Sequence, residues 1–97
     1  MIRVSERTLK HILSKHRDFT VLLGVSSIGE LKRLIMDTVT NPSEAYADRH
    51  GVKYFLKKID EHWINVVVAK DAVKTAYIIG LRTYRKLRGR RWLQRLY

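Results

Sequence analysis

From residue 63 to residue 80 the chain reads WINVVVAKDAVKTAYIIG, two apolar runs split by the polar pair Lys70-Asp71. Ile64, Val66, Val68, Val73, Thr75, Ile78 and Ile79 are β-branched. Such side chains fit a pleated surface better than a helix, so a β-hairpin is predicted here. Alternation sorts the hairpin into two faces. Ile64, Val66, Val68, Ala76 and Ile78 make an aliphatic set suited to packing beneath helices. Trp63, Asn65, Val73, Thr75, Tyr77 and Ile79 fall on the opposite face.

Upstream, residues 52–59 also alternate, with Val52, Tyr54, Leu56 and Lys58 on one side and Lys53, Phe55, Lys57 and Ile59 on the other. Asp60-Glu61 turns this strand into the hairpin, and residues 44–47 read as a short edge strand. Together these make an antiparallel meander of three or four strands.

The first forty residues change period. Leu9, Ile12, Leu13 and His16 recur at i, i+3, i+4 and i+7, which predicts a helix over 6–16 capped by Ser5. Residues 19–25 read as an apolar connection. Ser27-Ile28-Gly29-Glu30 matches a capping box, opening a second helix that runs from residue 28 to about 39. Asn41-Pro42 stops it, because a residue before proline avoids helical geometry. Residues 81–97 are helical in period but basic, with Leu81, Tyr84, Leu87 and Leu96 placed to face the sheet and Gly89 as an interruption. The fold class is α+β: two N-terminal helices on a three- to four-stranded antiparallel meander, with a basic C-terminal helix. The expected organisation is one domain over 1–97, with its core in 5–80.

Charge then narrows the function. Twenty Lys and Arg stand against nine Asp and Glu, a formal net charge of +11 over 97 residues. Residues 81–97 contain Arg82, Arg85, Lys86, Arg88, Arg90, Arg91 and Arg95 and no acid, interleaved with Tyr84, Trp92 and Tyr97. A one-signed basic stretch with aromatics suits a polyanion, and RNA is the expected partner. There is no cysteine, so disulfides and thiolate metal sites are excluded. No long uncharged apolar run is present, and neither a membrane span nor a signal peptide is expected. A cytoplasmic location is the corresponding expectation.

The acids are few and scattered, which argues against a two-metal nuclease, and His11 and His16 lack the i, i+4 spacing of a helical zinc pair. No metal and no cofactor are expected. Histidines, cations and hydroxyls remain. Histidine titrates near neutral pH and can take the proton of a ribose 2′-OH, while cations and hydroxyls hold the phosphate. That chemistry is metal-independent RNA cleavage by transesterification. Asn65, Thr75, Tyr77 and Trp63, joined by Lys53 and Lys57, read as an RNA-facing surface with aromatics for bases and lysines for phosphate.

The run KHILSKH in the first helix, NPSEAYADRHGVKYFLKK in the middle and KTAY in the last strand resembles the barnase–EndoU–colicin–RelE-like nuclease fold, in particular its phage- and archaeal-type small domains, over about residues 8–80. The resemblance implies a helix histidine, here His11 or His16, and a hydroxyl-x-aromatic motif, here Thr75 and Tyr77, in the active site. Members of the colicin D type also use a lysine near the histidine, for which Lys10 and Lys15 are available. Such domains cut tRNA or other translation RNA, often as toxins, so an acidic inhibitor protein is a second expected partner. A non-catalytic RNA-binding domain on the same fold is the alternative.

Overall fold

The computed structural model describes residues 1–90 and 93–97. Arg91 and Trp92, two members of the basic, aromatic C-terminal run, lie outside the described residues. The order of elements is α1 (Glu6–Lys15), α2 (Asp18–Leu23), α3 (Ile28–Thr40), β1 (Glu44–Ala47), β2 (Lys53–Ile59), β3 (His62–Ala69), β4 (Ala72–Ile79), α4 (Leu81–Arg88) and β5 (Gln94–Arg95). The fold is α+β, with the N-terminal helices, an antiparallel sheet and the C-terminal helix in the expected order.

Local chemistry sets most boundaries. Ser5 Oγ accepts from Thr8 N at 3.1 Å and so opens α1. Ser27 Oγ accepts from Glu30 N at 3.1 Å at the start of α3. The Glu30 carboxylate does not close the reciprocal half of the box on Ser27. It reaches one residue further back, to the Ser26 hydroxyl at 3.1 Å. The apolar stretch expected as a connection is instead the short helix α2. Phe19 is its fully buried anchor, and Gly24 ends it at φ +67°, a conformation that needs no Cβ.

The sheet has five strands in the order β4-β3-β2-β1-β5, every neighbouring pair antiparallel. Lys70 and Asp71 turn the central hairpin with positive φ at both positions, 52° and 60°, the backbone twist of a two-residue hairpin turn. Between Val67 and Val68 the register slips. Val67 pairs with Thr75, but Val68 pairs with Val73, leaving Lys74 as the extra residue. This bulge moves Val73 off the Thr75 face, where alternation had placed it, and into the core beneath the helices.

One sheet face packs on α1, α2 and α3 through Ile64, Val66, Val68, Val73 and Ala76 against Leu9, Ile12, Phe19, Leu31 and Ile35. The other face carries a second, aromatic cluster of Tyr46, Leu56, Trp63 and Ile79, covered by Tyr84 and Leu87 of α4. The expected C-terminal helix is therefore shorter than its period suggested. It stops at Arg88, before Gly89, and the chain returns as β5 to pair with β1, Tyr46 opposite Arg95 and Ala47 opposite Gln94. Residues 44–47 are thus an inner strand, and Leu81 and Leu96 stay about half exposed instead of facing the sheet.

Candidate functional site

His16 follows the last turn of α1 and holds it shut, its backbone N–H donating to Ile12 O at 2.8 Å. Leu9 and Ile12 bury the helix, so this C-terminal end, with its half-buried imidazole, is pinned near the edge strand β4. The His16 ring lies 5.9 Å from the Tyr77 ring, centroid to centroid, tilted by 38°. That separation is within the range of interacting aromatic pairs.

Tyr77 stands in β4 directly opposite Asn65 in β3. Asn65 Nδ2 donates to the Tyr77 hydroxyl at 3.0 Å. Asn65 is 1% exposed and its Oδ1 has no hydrogen-bond partner. Thr75 lies two residues before Tyr77, half-buried on the same face and opposite Val67. Tyr54, which pairs with Val67 from the other side, extends this patch. Burial raises the Tyr54 pKa, the adjacent Asp48 carboxylate adds to the rise through a 3.3 Å hydrogen bond, and the positive field of Arg90 works against it. The Tyr54 phenol therefore lies within electrostatic reach of both Tyr77 and Arg90.

From the expected set the structure thus brings His16 to Tyr77, and Thr75 shares the strand and face of Tyr77. His11 is exposed on α1, about one and a half turns before His16. Lys10 is exposed and ion-paired with Glu6 at 3.3 Å, and Lys15 is exposed in the last turn of α1.

The expected RNA-facing surface needs four corrections, the first being that Asn65 is buried and displays nothing to a ligand. Lys53 and Lys57 lie on the helix-bearing face, because register pairs them with Val68 and Ile64. Lys57 Nζ is engaged by Asp37 of α3 at 2.6 Å, a contact that also holds the Asp37 carboxyl below its ordinary range. Trp63 offers no free face to a base. It is 7% exposed, stacked on Tyr84 with ring centroids 4.0 Å apart, and Lys58 sits 5.6 Å from its ring.

The basic run divides. Arg82, Arg85 and Lys86 are exposed on α4. Arg88 Nε stands 3.7 Å and Arg95 Nη2 3.9 Å from the carboxylate of Glu44. Glu44, 6% exposed, also accepts hydrogen bonds from Tyr46 at 2.5 Å and from Tyr84. Arg90 is exposed just past α4, and Arg91 lies outside the described residues. Glu44 and Tyr54 were missed by sequence reasoning. The one available signal was alternation, which sets Glu44 on the same face as Tyr46.

Among the described residues no three His, Asp or Glu side chains converge as a metal site requires. No helix among them is long and apolar enough to cross a membrane. Comparison with protein families, with curated proteins and with solved structures finds no match. What the arrangement offers chemically is an imidazole beside a fixed phenol, with a threonine hydroxyl on the same strand as the phenol, in a strongly basic chain.

Proposed function

We propose that this protein is a metal-independent endoribonuclease that cuts tRNA or other structured RNA. The observation that carries this reading is the approach of His16 to Tyr77, two positions far apart in the chain, on a strand that also carries Thr75. His16 takes the proton of the ribose 2′-OH. The 2′-oxygen then attacks phosphorus, and the 5′-oxygen leaves with a proton from solvent, giving a 2′,3′-cyclic phosphate and a 5′-OH end. The Tyr77 and Thr75 hydroxyls donate to the phosphate oxygens as charge develops there. Arg82, Arg85 and Lys86 hold the RNA backbone.

The test is incubation of the purified chain with total tRNA in EDTA. Cleavage with cyclic-phosphate ends, lost in His16→Ala and reduced in Tyr77→Phe, supports the enzyme. Intact RNA in a retarded band supports a non-catalytic RNA-binding domain. DNA of the same sequence stays whole under the enzyme reading, because it lacks the 2′-OH.

A further inference from the structure

We infer that Asn65 is a positioning residue for Tyr77, turning the phenol proton away from the sheet and toward the substrate phosphate. This rests on the ribonuclease reading and extends it to a side chain beneath the surface.

Asn65 is out of place by packing alone. It sits between Ile64 and Val66 in the most apolar strand of the protein and is 1% exposed. Asparagine is disfavoured in strands, and a leucine of nearly the same shape would bury more apolar surface there. The buried Oδ1 finds no partner, a destabilising defect of the kind that asks for an explanation. Among the hydrogen bonds of the described residues, its amide has a single one, from Nδ2 to the Tyr77 hydroxyl at 3.0 Å.

That one bond fixes the direction of another. Once the phenol oxygen accepts from Asn65, its own O–H has no acceptor in the amide and is left to donate elsewhere, on this inference to the substrate phosphate. As placed, Nδ2 gives one N–H to the phenol and keeps the other unpaired beside the unpaired Oδ1, whereas the opposite amide orientation would leave both N–H donors unpaired, and orphaned N–H groups are the rarer defect. A phenol that accepts one hydrogen bond also donates the next more strongly. Asn65 itself is too deep to touch substrate.

The experiment compares Asn65→Leu, Asn65→Asp and Tyr77→Phe in the full chain, with tRNA in EDTA. Leucine branches at the same carbon but cannot donate. Asp keeps the size and replaces the donor by an acceptor, which captures the phenol proton. Asn65→Leu is expected to melt at or above the wild-type temperature, to keep KM within about twofold, and to lose about tenfold or more in kcat. Asn65→Asp loses kcat likewise, and so covers the case in which leucine does not fold. Adding Asn65→Leu to Tyr77→Phe costs little more, because the two act as one unit. In the free protein, Asn65→Leu also shifts the Tyr77 ring Cζ resonance in the NMR spectrum. Wild-type kcat in Asn65→Leu, full additivity with Tyr77→Phe, or an unmoved Tyr77 Cζ would each overturn the inference. Loss of cleavage in His16→Ala with none in Asn65→Leu removes only the role of Asn65. Full cleavage in His16→Ala removes the ribonuclease site itself.

Discussion

Glu44 accepts a hydrogen bond from the hydroxyl of Tyr84, 40 positions further along the chain. The same carboxylate accepts from Tyr46 and faces Arg88 and Arg95. One buried anion in the inner strand β1 therefore ties down both α4 and β5. Glu44→Ala removes the acceptor for two phenols and leaves Arg88 and Arg95 without their counter-charge. The expected cost is roughly 3–6 kcal/mol of stability, since two hydrogen bonds to a charged group are lost and each contributes about 1.5–3. Glu44→Gln, which keeps one acceptor and the shape, costs less. Urea unfolding of the three proteins measures this, and equal midpoints would refute the tie.

The same site sets the response to acid. Burial pushes the Glu44 carboxyl up, but the Tyr46 and Tyr84 hydroxyls, followed by Arg88 and Arg95, outweigh it, and the pKa ends below its ordinary value. A carboxyl lowered in the folded state stabilises the fold above its unfolded pKa and loses that contribution as pH falls through the folded value. Stability should therefore decline below the ordinary carboxyl value of 4.5, and Glu44→Gln should flatten that limb. At the alkaline end Tyr46 is pushed up to about 12, first by burial and then by its bond to Glu44. A phenol raised in this way stabilises the fold below pH 10 and loses that contribution between 10 and 12. An absorbance titration at tyrosinate wavelengths should accordingly show late ionisation coinciding with unfolding.

The two histidines should behave differently. His16 meets Tyr77, whereas His11 is exposed on α1. On the proposed reading His16 is the general base, a role that contributes about 10²–10⁴-fold, so His16→Ala is expected to lose at least a hundredfold in kcat. His11→Ala is expected to lose at least tenfold less than that. Initial rates on one tRNA preparation compare them, and the reverse order would move the base to His11.

How far the sequence reached depended on the length of each pattern. The helices α1 and α3 and the strands β2, β3 and β4 were legible because each repeats its period several times. The helix α2 has six residues, too few to show a period, and it was read as a connection. The strand β5 has two residues inside a charged run, and its partner β1 is distant in the chain. A bulge of one residue reverses a face without leaving a mark in composition, which is why Val73 was assigned to the wrong side. The candidate site was half visible. His16, Thr75 and Tyr77 were candidates, but only the tertiary fold could set His16 and not His11 against Tyr77, or give Lys57 to Asp37. Asn65 was visible as a lone amide in an apolar strand, though nothing local said what it touches.

The hairpin turn offers a stability gain without touching the site. Lys70 and Asp71 both hold positive φ, a region that costs a residue with a Cβ about 1 kcal/mol. Asp71→Gly relieves this at one position. The hydrogen bond from Arg3 N to Asp71 O at 2.9 Å uses backbone atoms and survives the change. Thermal unfolding should show a gain of roughly 0.5–1 kcal/mol, the scale on which glycine is favoured at such turns. Cleavage should be unaltered.

The last prediction separates lysines and arginines by where they lie. On the proposed reading, Arg82, Arg85 and Lys86 are exposed on an acid-free helix and each neutralises a phosphate. Each contact to single-stranded RNA contributes about 0.7, and each contact to a duplex about 0.9, to the slope of log K against log salt. Replacing all three by alanine should therefore lower the slope by roughly 2–3 and weaken binding most at low salt. Lys57→Ala removes as much formal charge as any one of them, yet its ammonium is held by Asp37 on the far face of the sheet. Its slope should match the wild type. Filter binding over a salt series discriminates between these outcomes. A slope that falls with total charge lost, wherever the residue lies, would mean that the RNA sees only the net charge and that α4 is not a docking surface.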